Sequence, residues 1–461
     1  MRASRGTRLL LAAVACSVAL LAGHAAGAHA ASIPGSEDGV ARQYHRLLLD
    51  HTRWAETTWD EAAGHYQLQD FNFVVVLGNA VLLRFGDYDA DVAGVPRDVL
   101  RDHTLRTIER FAASNRWVDP AGDWGVTTYW DSTFEAYFVA AARLLWDELD
   151  GPTRANVDRI AASAADAIAR AGTNSPSTNG LTGGFLADSK IEEMGARTMP
   201  LAAALAYLPG DPSSPAWREW LDRWGSNIAG LPPADQANAA ELDGRAVAEW
   251  NRSQNVFDTF IVENHGSFAP HYQQSAAAYP GRNAAQFLIA GRPLPQVLRT
   301  PPNGIELLAT LRRLGTDAGA GANPMVADRY HLYGRDILPL AYQSTVLGDR
   351  DAARAERMLL ARLAPYQAYP PAHRLAKFSG EPKYEPEARA ELAMAYLLHY
   401  ARAQLAGDVE PVGERAYFER ASGATDFGAV PGLVAQQSPH ALAAAVTKPG
   451  FVKFAFLPEH D

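Results

Sequence analysis

The stretch Val262-Glu263-Asn264-His265-Gly266-Ser267-Phe268-Ala269-Pro270-His271-Tyr272 brings together an acid, an amide, two imidazoles and a phenol. Gly266 and Pro270 suggest that this segment leaves a helix, so its side chains could line a cavity. Adjacent Asn and His suit one reaction in particular: removal of the C5 proton of a uronic acid, followed by β-elimination of the 4-linked sugar. The Asn264 amide can donate to the substrate carboxyl group and favour an aci-carboxylate intermediate. His265, titrating near neutrality, can take the proton or polarise the same group. Tyr272 can protonate the leaving oxygen, and Glu263 lies beside the pair as a substrate contact. The competing structural reading has Asn264 capping a turn while His265 and His271 sit in satisfied hydrogen bonds.

A second cluster, Asp328-Arg329-Tyr330-His331-Leu332-Tyr333-Gly334-Arg335-Asp336, supplies further phenols and cations. Tyr330 and Tyr333 share a face if the segment is helical. Arg335 and Arg329 can steady an anionic sugar carboxylate, with His331 between them. The structural alternative packs these aromatic rings between helices and pairs Arg335 with Asp336 or Asp328. Two tryptophans, Trp124 and Trp130 in Asp123-Trp124-Gly125-Val126-Thr127-Thr128-Tyr129-Trp130-Asp131, offer a platform for the C–H face of a pyranose ring.

Several chemistries are excluded. Acidic residues outnumber basic ones 52 to 42, a formal charge of −10, and the basic residues are scattered, which argues against a nucleic-acid partner. No His-x-x-x-His or His-Glu-x-x-His spacing occurs, and His265 with His271 is not a helical metal pair, so no metal or other cofactor is expected. A phosphate-cradling GxxxxGK[ST] and a Gly-x-Ser-x-Gly elbow are also missing.

The elements that must position these residues are mostly helical. Residues 1–30 read as a secretory leader: Arg2, Arg5 and Arg8, an apolar run from Leu9 to Leu21, then Ala28-His29-Ala30 as the cleavage site. Cleavage removes Cys16, the only cysteine, which excludes disulfides and thiolate chemistry from the mature chain. The mature protein is expected to be secreted, free of the membrane and monomeric. Residues 31–412 form the expected catalytic domain. Apolar residues recur there at helical spacing, as in Asp70–Phe85, Arg97–Ser114, Trp130–Asp147, Arg154–Ala171, Glu192–Tyr207, Pro215–Ile228 and Glu385–Leu405. Pro215 is expected in the first turn of its helix, where its missing N–H costs nothing. Helix pairs over such a length, without a short strict period, suit a closed α/α toroid of helical hairpins better than an open solenoid. Residues 413–461 form a short β-rich extension, with strands expected at Leu433–Gln437, Ala441–Val446 and Phe451–Leu457.

The helical secreted chain, the Glu263-Asn264-His265-Gly266 segment and the later Tyr/His/Arg segment together resemble the toroid domain of alginate, chondroitin and heparinase II/III-like polysaccharide lyases. The resemblance implies a cleft carrying Asn, His, Tyr and Arg, followed by an antiparallel β domain. It implies that Asn264 neutralises a substrate carboxylate, that His265 assists as base and that a tyrosine is the acid. Tyr333 and Tyr330 match the family's usual separation from the Asn-His pair better than Tyr272 does. The segment Thr182–Glu193 also resembles the group through Lys190-Ile191-Glu192-Glu193, although Met194 and Gly195 follow where those proteins commonly carry Asn. Physically, Asp188 can cap a helix beginning at Ser189, with two acids favoured in its first turn.

Two other classes compete. Inverting glycoside hydrolases also use a helical toroid and need two carboxyl groups about 6.5–9.5 Å apart; Asp131, Glu135, Glu192, Glu193 and Glu263 are available. A non-catalytic carbohydrate-binding scaffold is the other, motivated by the short β tail.

Overall fold

The computed structural model describes residues 33–126, 129–174, 178–184, 188–325, 333–366, 384–451 and 453–457. The expected leader lies outside them. Outer and inner helices alternate along the chain: α1 (Gly39–Ala55), α2 (Val76–Arg84), α3 (Arg97–Ala113), α4 (Tyr129–Leu144), α5 (Gly151–Ala171) and α6 (Ile191–Tyr207). Then come α7 (Ser214–Asn227), α8 (Pro270–Ile289), α9 (Gly304–Arg312), α10 (Tyr333–Thr345), α11 (Arg350–Tyr366) and α12 (Glu385–Tyr400), and each outer helix after α1 packs on the inner helix before it. Each even-numbered helix packs on the next, and α12 packs back on α2, so six inner helices close a ring among the described residues. The odd-numbered helices lie outside, each against an even-numbered one, and α1 meets α12 and α11 across the seam. An open solenoid would leave its first and last hairpins apart. The fold is therefore mainly α, an α/α toroid with a short C-terminal sheet.

The two rings bury their residues differently. Every residue of α8 is buried, as is α12 from Glu385 to His399, whereas α1 buries Tyr44, Leu47, Leu48 and His51 and leaves Arg42, Gln43 and Arg46 exposed. Caps fix the outer helices: Asp38 accepts from Ala41 N at 2.6 Å and Asp150 from Thr153 N at 2.7 Å. Pro215 does lie in the first turn of α7. The helix expected from Asp70 begins only at Val76, because Asp70 and Phe71 are left-handed and Gln69–Val75 is a 3-10 segment that stacks Phe71 on Phe134 at 3.9 Å. Helix α12 stops at Tyr400, short of the expected Leu405.

Polar side chains fill the ring. Arg282 of α8 reaches Glu387 at 3.0 Å and Glu391 at 3.1 Å, both on α12, and the Tyr137 hydroxyl of α4 donates to Glu391 at 3.2 Å. Arg389 donates to Leu48 O at 2.8 Å, Thr52 Oγ1 at 3.0 Å and Asn79 Oδ1 at 2.7 Å, tying α12 to α1 and α2. At the C-terminal end of α12, His399 has Glu356 Oε1 2.8 Å from Nε2 and Asp38 Oδ2 3.2 Å from Nδ1. Burial alone would lower the His399 pKa, but the two carboxylates outweigh it and push it up to about 9. The folded state thus keeps a proton that the unfolded chain, with a His pKa of about 6.5, releases. This contribution is complete below about pH 6.5 and is lost as pH rises through about 9, on the order of 3 kcal/mol in all. Urea unfolding at pH 6, 7.5 and 9 should show that decline, and His399→Gln should flatten it; an equally steep decline in the variant would assign it elsewhere.

After α13 (Glu414–Ala421) the chain forms an antiparallel sheet of β1 (Gly423–Asp426), β2 (Leu433–Gln437), β3 (Leu442–Val446) and β4 (Lys453–Leu457), in that order. Strand β1 escaped the sequence reading because Gly423-Ala424-Thr425-Asp426 has no apolar alternation and stays largely exposed. Leu433, Ala435, Leu442, Ala444 and Val446 form the sheet's inner face and join a core with Phe257, Ile261, Phe268, Leu311 and Leu314. Thus the sheet packs on the segment that leads into α8. Among the described residues no helix is long and apolar enough to cross a membrane.

Candidate active site

Asn264 and Ser267 exchange backbone hydrogen bonds, Asn264 N to Ser267 O at 3.0 Å and Ser267 N to Asn264 O at 3.2 Å. The two residues between them are left-handed, His265 at φ +50° and Gly266 at φ +87°. Positive φ at both central positions is the mark of a type I′ turn. Glycine takes this conformation freely, whereas His265 holds it at a cost of order 1 kcal/mol. The turn leaves His265 exposed at its apex and Asn264 buried at its base. From there His265 Nδ1 is 3.3 Å from the Tyr272 hydroxyl, with the rings in edge contact at 5.7 Å. The amide of Asn264 accepts from His265 N at 3.1 Å through Oδ1 and approaches Glu192 Oε2 at 3.5 Å through Nδ2.

Beneath the turn, the beginnings of three inner helices converge. His271, at the start of α8, is 2.9 Å from Asp336 Oδ1 of α10 through Nδ1 and 3.9 Å from Glu192 Oε1 of α6 through Nε2. Asp336 and Glu192 occupy first turns, where the helix macrodipole favours negative charge. Asp336, His271, Glu192 and Asn264 therefore form one polar chain, with His265 and Tyr272 at its outer end. Beside it, Lys190 bridges Asp188 at 2.7 Å and Glu193 at 3.2 Å. Burial outweighs the lysine's pull and raises the Glu193 pKa.

The sequence-derived residues fare unequally. Asn264, His265 and Tyr272 come together. Tyr333 and Arg335 begin α10 beside Asp336 in the chain, and Trp130 begins α4, but their side chains lie outside the described residues, as do Arg329, Tyr330 and His331 entirely. Trp124 is not a sugar platform: it is 3% exposed, packs among Phe73, Phe111 and Phe138, and donates Nε1 to Phe111 O at 2.9 Å. Glu263 is not a substrate contact either, because its carboxylate is 2% exposed and paired with Lys448 from the β3–β4 connection. Asp188 does not cap α6, which starts at Ile191 with Lys190 as its uncapped first neighbour. The sequence reading passed over the His271–Asp336 pair, the role of Glu192 at the turn, and Lys448. For His271, Asp336 and Glu192 the helix-start position was the one local signal, and Lys448, in a strand connection, had none.

The Glu263–Lys448 pair fastens the sheet to the turn, since Glu263 directly precedes Asn264 and its carbonyl accepts from Ser189 N at 2.9 Å. Lys448→Met would break this buried ion pair, an expected loss of about 3 kcal/mol. Replacing Glu263 by Met as well should restore most of it. A double-mutant cycle by urea unfolding measures the coupling, and singles and double that simply add would show the pair contributes nothing.

Among the described residues no group of three or more His, Cys, Asp or Glu side chains is arranged to hold a metal ion. No protein-family model matches the chain, and no curated protein matches it. Among solved structures the chain is similar to the Streptomyces coelicolor A3 chondroitin AC lyase, determined in complex with chondroitin sulphate. The identity is 12% and the TM-score 0.45, over 88% of this chain and 52% of that one. The chain thus spans about half the length of that lyase.

Proposed function

We propose that the protein is a polysaccharide lyase that cleaves a uronic-acid-containing glycan by β-elimination at the Asn264–Ser267 turn. The observation that carries this reading is the Tyr272 hydroxyl 3.3 Å from His265 Nδ1, beside the Asn264 amide. Asn264 donates to the uronate carboxyl group and stabilises the charge that builds there as the proton leaves. His265 takes the C5 proton, the C–H electron pair forms the C4=C5 double bond, and the C4–O4 bond breaks with its electrons going to O4. Tyr272 gives O4 its hydroxyl proton. The His265–Tyr272 contact then returns the abstracted proton to the phenolate, which restores both groups for the next turnover. The family resemblance names Tyr333 or Tyr330 as the acid, whereas the described contact belongs to Tyr272 and the mechanism is built on it.

Incubation of the purified mature chain with a panel of uronic-acid polysaccharides, followed at the ultraviolet band of the unsaturated uronide, tests the proposal. A rise with any of them supports elimination. New reducing ends without absorbance would favour hydrolysis instead. One observation supports that second reading: burial pushes the Glu135 carboxyl up to about 8, so it is an acid at neutral pH, and Asp131 lies one turn earlier on α4. Neither signal would favour a binding scaffold. The proposal also includes export, tested by a secreted chain beginning at Ala31, and a monomer, tested by light scattering.

A further inference from the structure

Some distance along the chain from the turn, a cavity of about 350 Å³ is lined by Leu181, Arg223, Arg245, Glu249, Trp250 and Arg252. Three guanidinium groups share one pocket in a chain whose formal charge is −10. Arg223 is 2.8 Å from Glu219 Oε1 and Arg245 is 4.0 Å from the same oxygen, so the two cations lie close together around a single carboxylate. Counting Glu219 and Glu249, the pocket still carries an excess positive charge. Arg223 Nε and Trp250 Nε1 have no hydrogen-bond acceptor among the described residues. Arg252 is held in place by Nη1 bonds to Ala248 O at 3.0 Å and Asn251 O at 2.9 Å. Arg245 stands 5.1 Å from the Trp250 ring.

The pocket is built into the same framework as the candidate site. Ser253 Oγ donates to Leu181 O at 2.7 Å, and Asn227 Oδ1 accepts from Arg252 N at 2.9 Å and from Ser253 N at 3.1 Å. Asn255 Oδ1 accepts from Gly184 N at 3.2 Å and from Lys190 N at 3.0 Å, at the start of the helix that carries Glu192. Hydrogen bonds through these loops therefore link the arginine pocket to the beginning of α6.

We infer that this pocket is a second glycan subsite, which binds an oxyanion of a polysaccharide, a sulfate ester or a uronate carboxylate, away from the point of cleavage. The planar guanidinium groups match the oxygen geometry of both anions, and the Trp250 indole offers a C–H-binding face next to them. The inference deepens the lyase reading by naming the charged groups that a bound chain must carry. An incoming oxyanion competes with Glu219 for Arg223 and Arg245, so binding should weaken steeply as salt is added.

The test compares the full chain with the double variant Arg245→Ala with Arg252→Ala, both exposed positions, by calorimetric titration. The probes are a sulfated chondroitin hexasaccharide, its unsulfated counterpart and a neutral hexasaccharide. Expected is a loss of affinity of tenfold or more for an anionic probe, no change for the neutral one and unchanged turnover of a disaccharide-length substrate. Loss with the sulfated probe alone assigns the pocket to sulfate, and equal loss with both anionic probes assigns it to the carboxylate. Equal affinity of variant and parent for both anionic probes, or no binding of either by the parent, overturns the inference. Both chains carry His265→Asn during the titration, so binding is read without turnover, and a parent chain that binds through the pocket but yields no unsaturated product would refute the lyase reading and leave the pocket standing.

Discussion

His265→Ala is expected to lower the rate of uronide formation about a hundredfold or more, with the helical circular dichroism unchanged. The imidazole is exposed at the apex of the turn, so its removal opens no core cavity, and it gives up its contact with the Tyr272 hydroxyl that the mechanism uses. The turn itself is the complication, since residue 265 is left-handed and alanine is strained there. His265→Asn separates the two effects: asparagine tolerates that conformation but cannot take a proton from carbon. Both variants should be equally inactive. Activity retained in His265→Asn would remove the imidazole from the chemistry and leave only a shape requirement. Tyr272→Phe should be as damaging, because phenylalanine keeps the buried ring and loses only the hydroxyl that faces His265. If Tyr272→Phe is mild and Tyr333→Phe is not, the acid is Tyr333.

The largest effect on stability is expected at Arg282. Its guanidinium sits between Glu387 and Glu391 in the middle of the ring, with all three side chains essentially inaccessible to water. Arg282→Met keeps most of the volume and leaves two carboxylates facing one another in a buried site. An expected loss of about 3–5 kcal/mol follows from removing the cation of a buried ion pair. Set against a typical total of about 5–15 kcal/mol, that is a large share of the fold's stability. Urea unfolding measures it. Should Arg282→Met fail to fold, Arg282→Lys provides the graded comparison: it keeps the charge but cannot span both carboxylates, and an intermediate loss is expected. Stability of Arg282→Met within about 0.5 kcal/mol of the parent would show that the carboxylates are satisfied without the arginine.

Helical spacing revealed α3, α6 and α7 to within a residue and α5 except for its first three residues, because each lays an apolar stripe on a neighbour and the stripe has the period of the helix. The alternation in Leu433–Gln437 did the same for β2. Where local conformation broke the pattern, as at left-handed Asp70 and Phe71, the reading ran a helix through a kink. The fully buried helices were harder to delimit, since α8 and α12 have no exposed face to contrast with.

At the site, the sequence by itself singled out Asn264, His265 and Tyr272, which are close along the chain and come together, but it read their segment as leaving a helix, whereas the segment enters α8. Trp124 shows where composition misleads: a loop tryptophan reads the same whether it faces a sugar or a core, and here Phe73, Phe111 and Phe138 surround it. Only the tertiary structure decided that His271 meets Asp336, 65 residues away, that Asn264 meets Glu192, 72 residues away, and that Lys448 reaches back 185 residues to Glu263. Helical periodicity says which face of a helix a residue occupies. Which helices become neighbours is settled by closure of the ring, and it is that closure which brings the first turns of α6, α8 and α10 to one place.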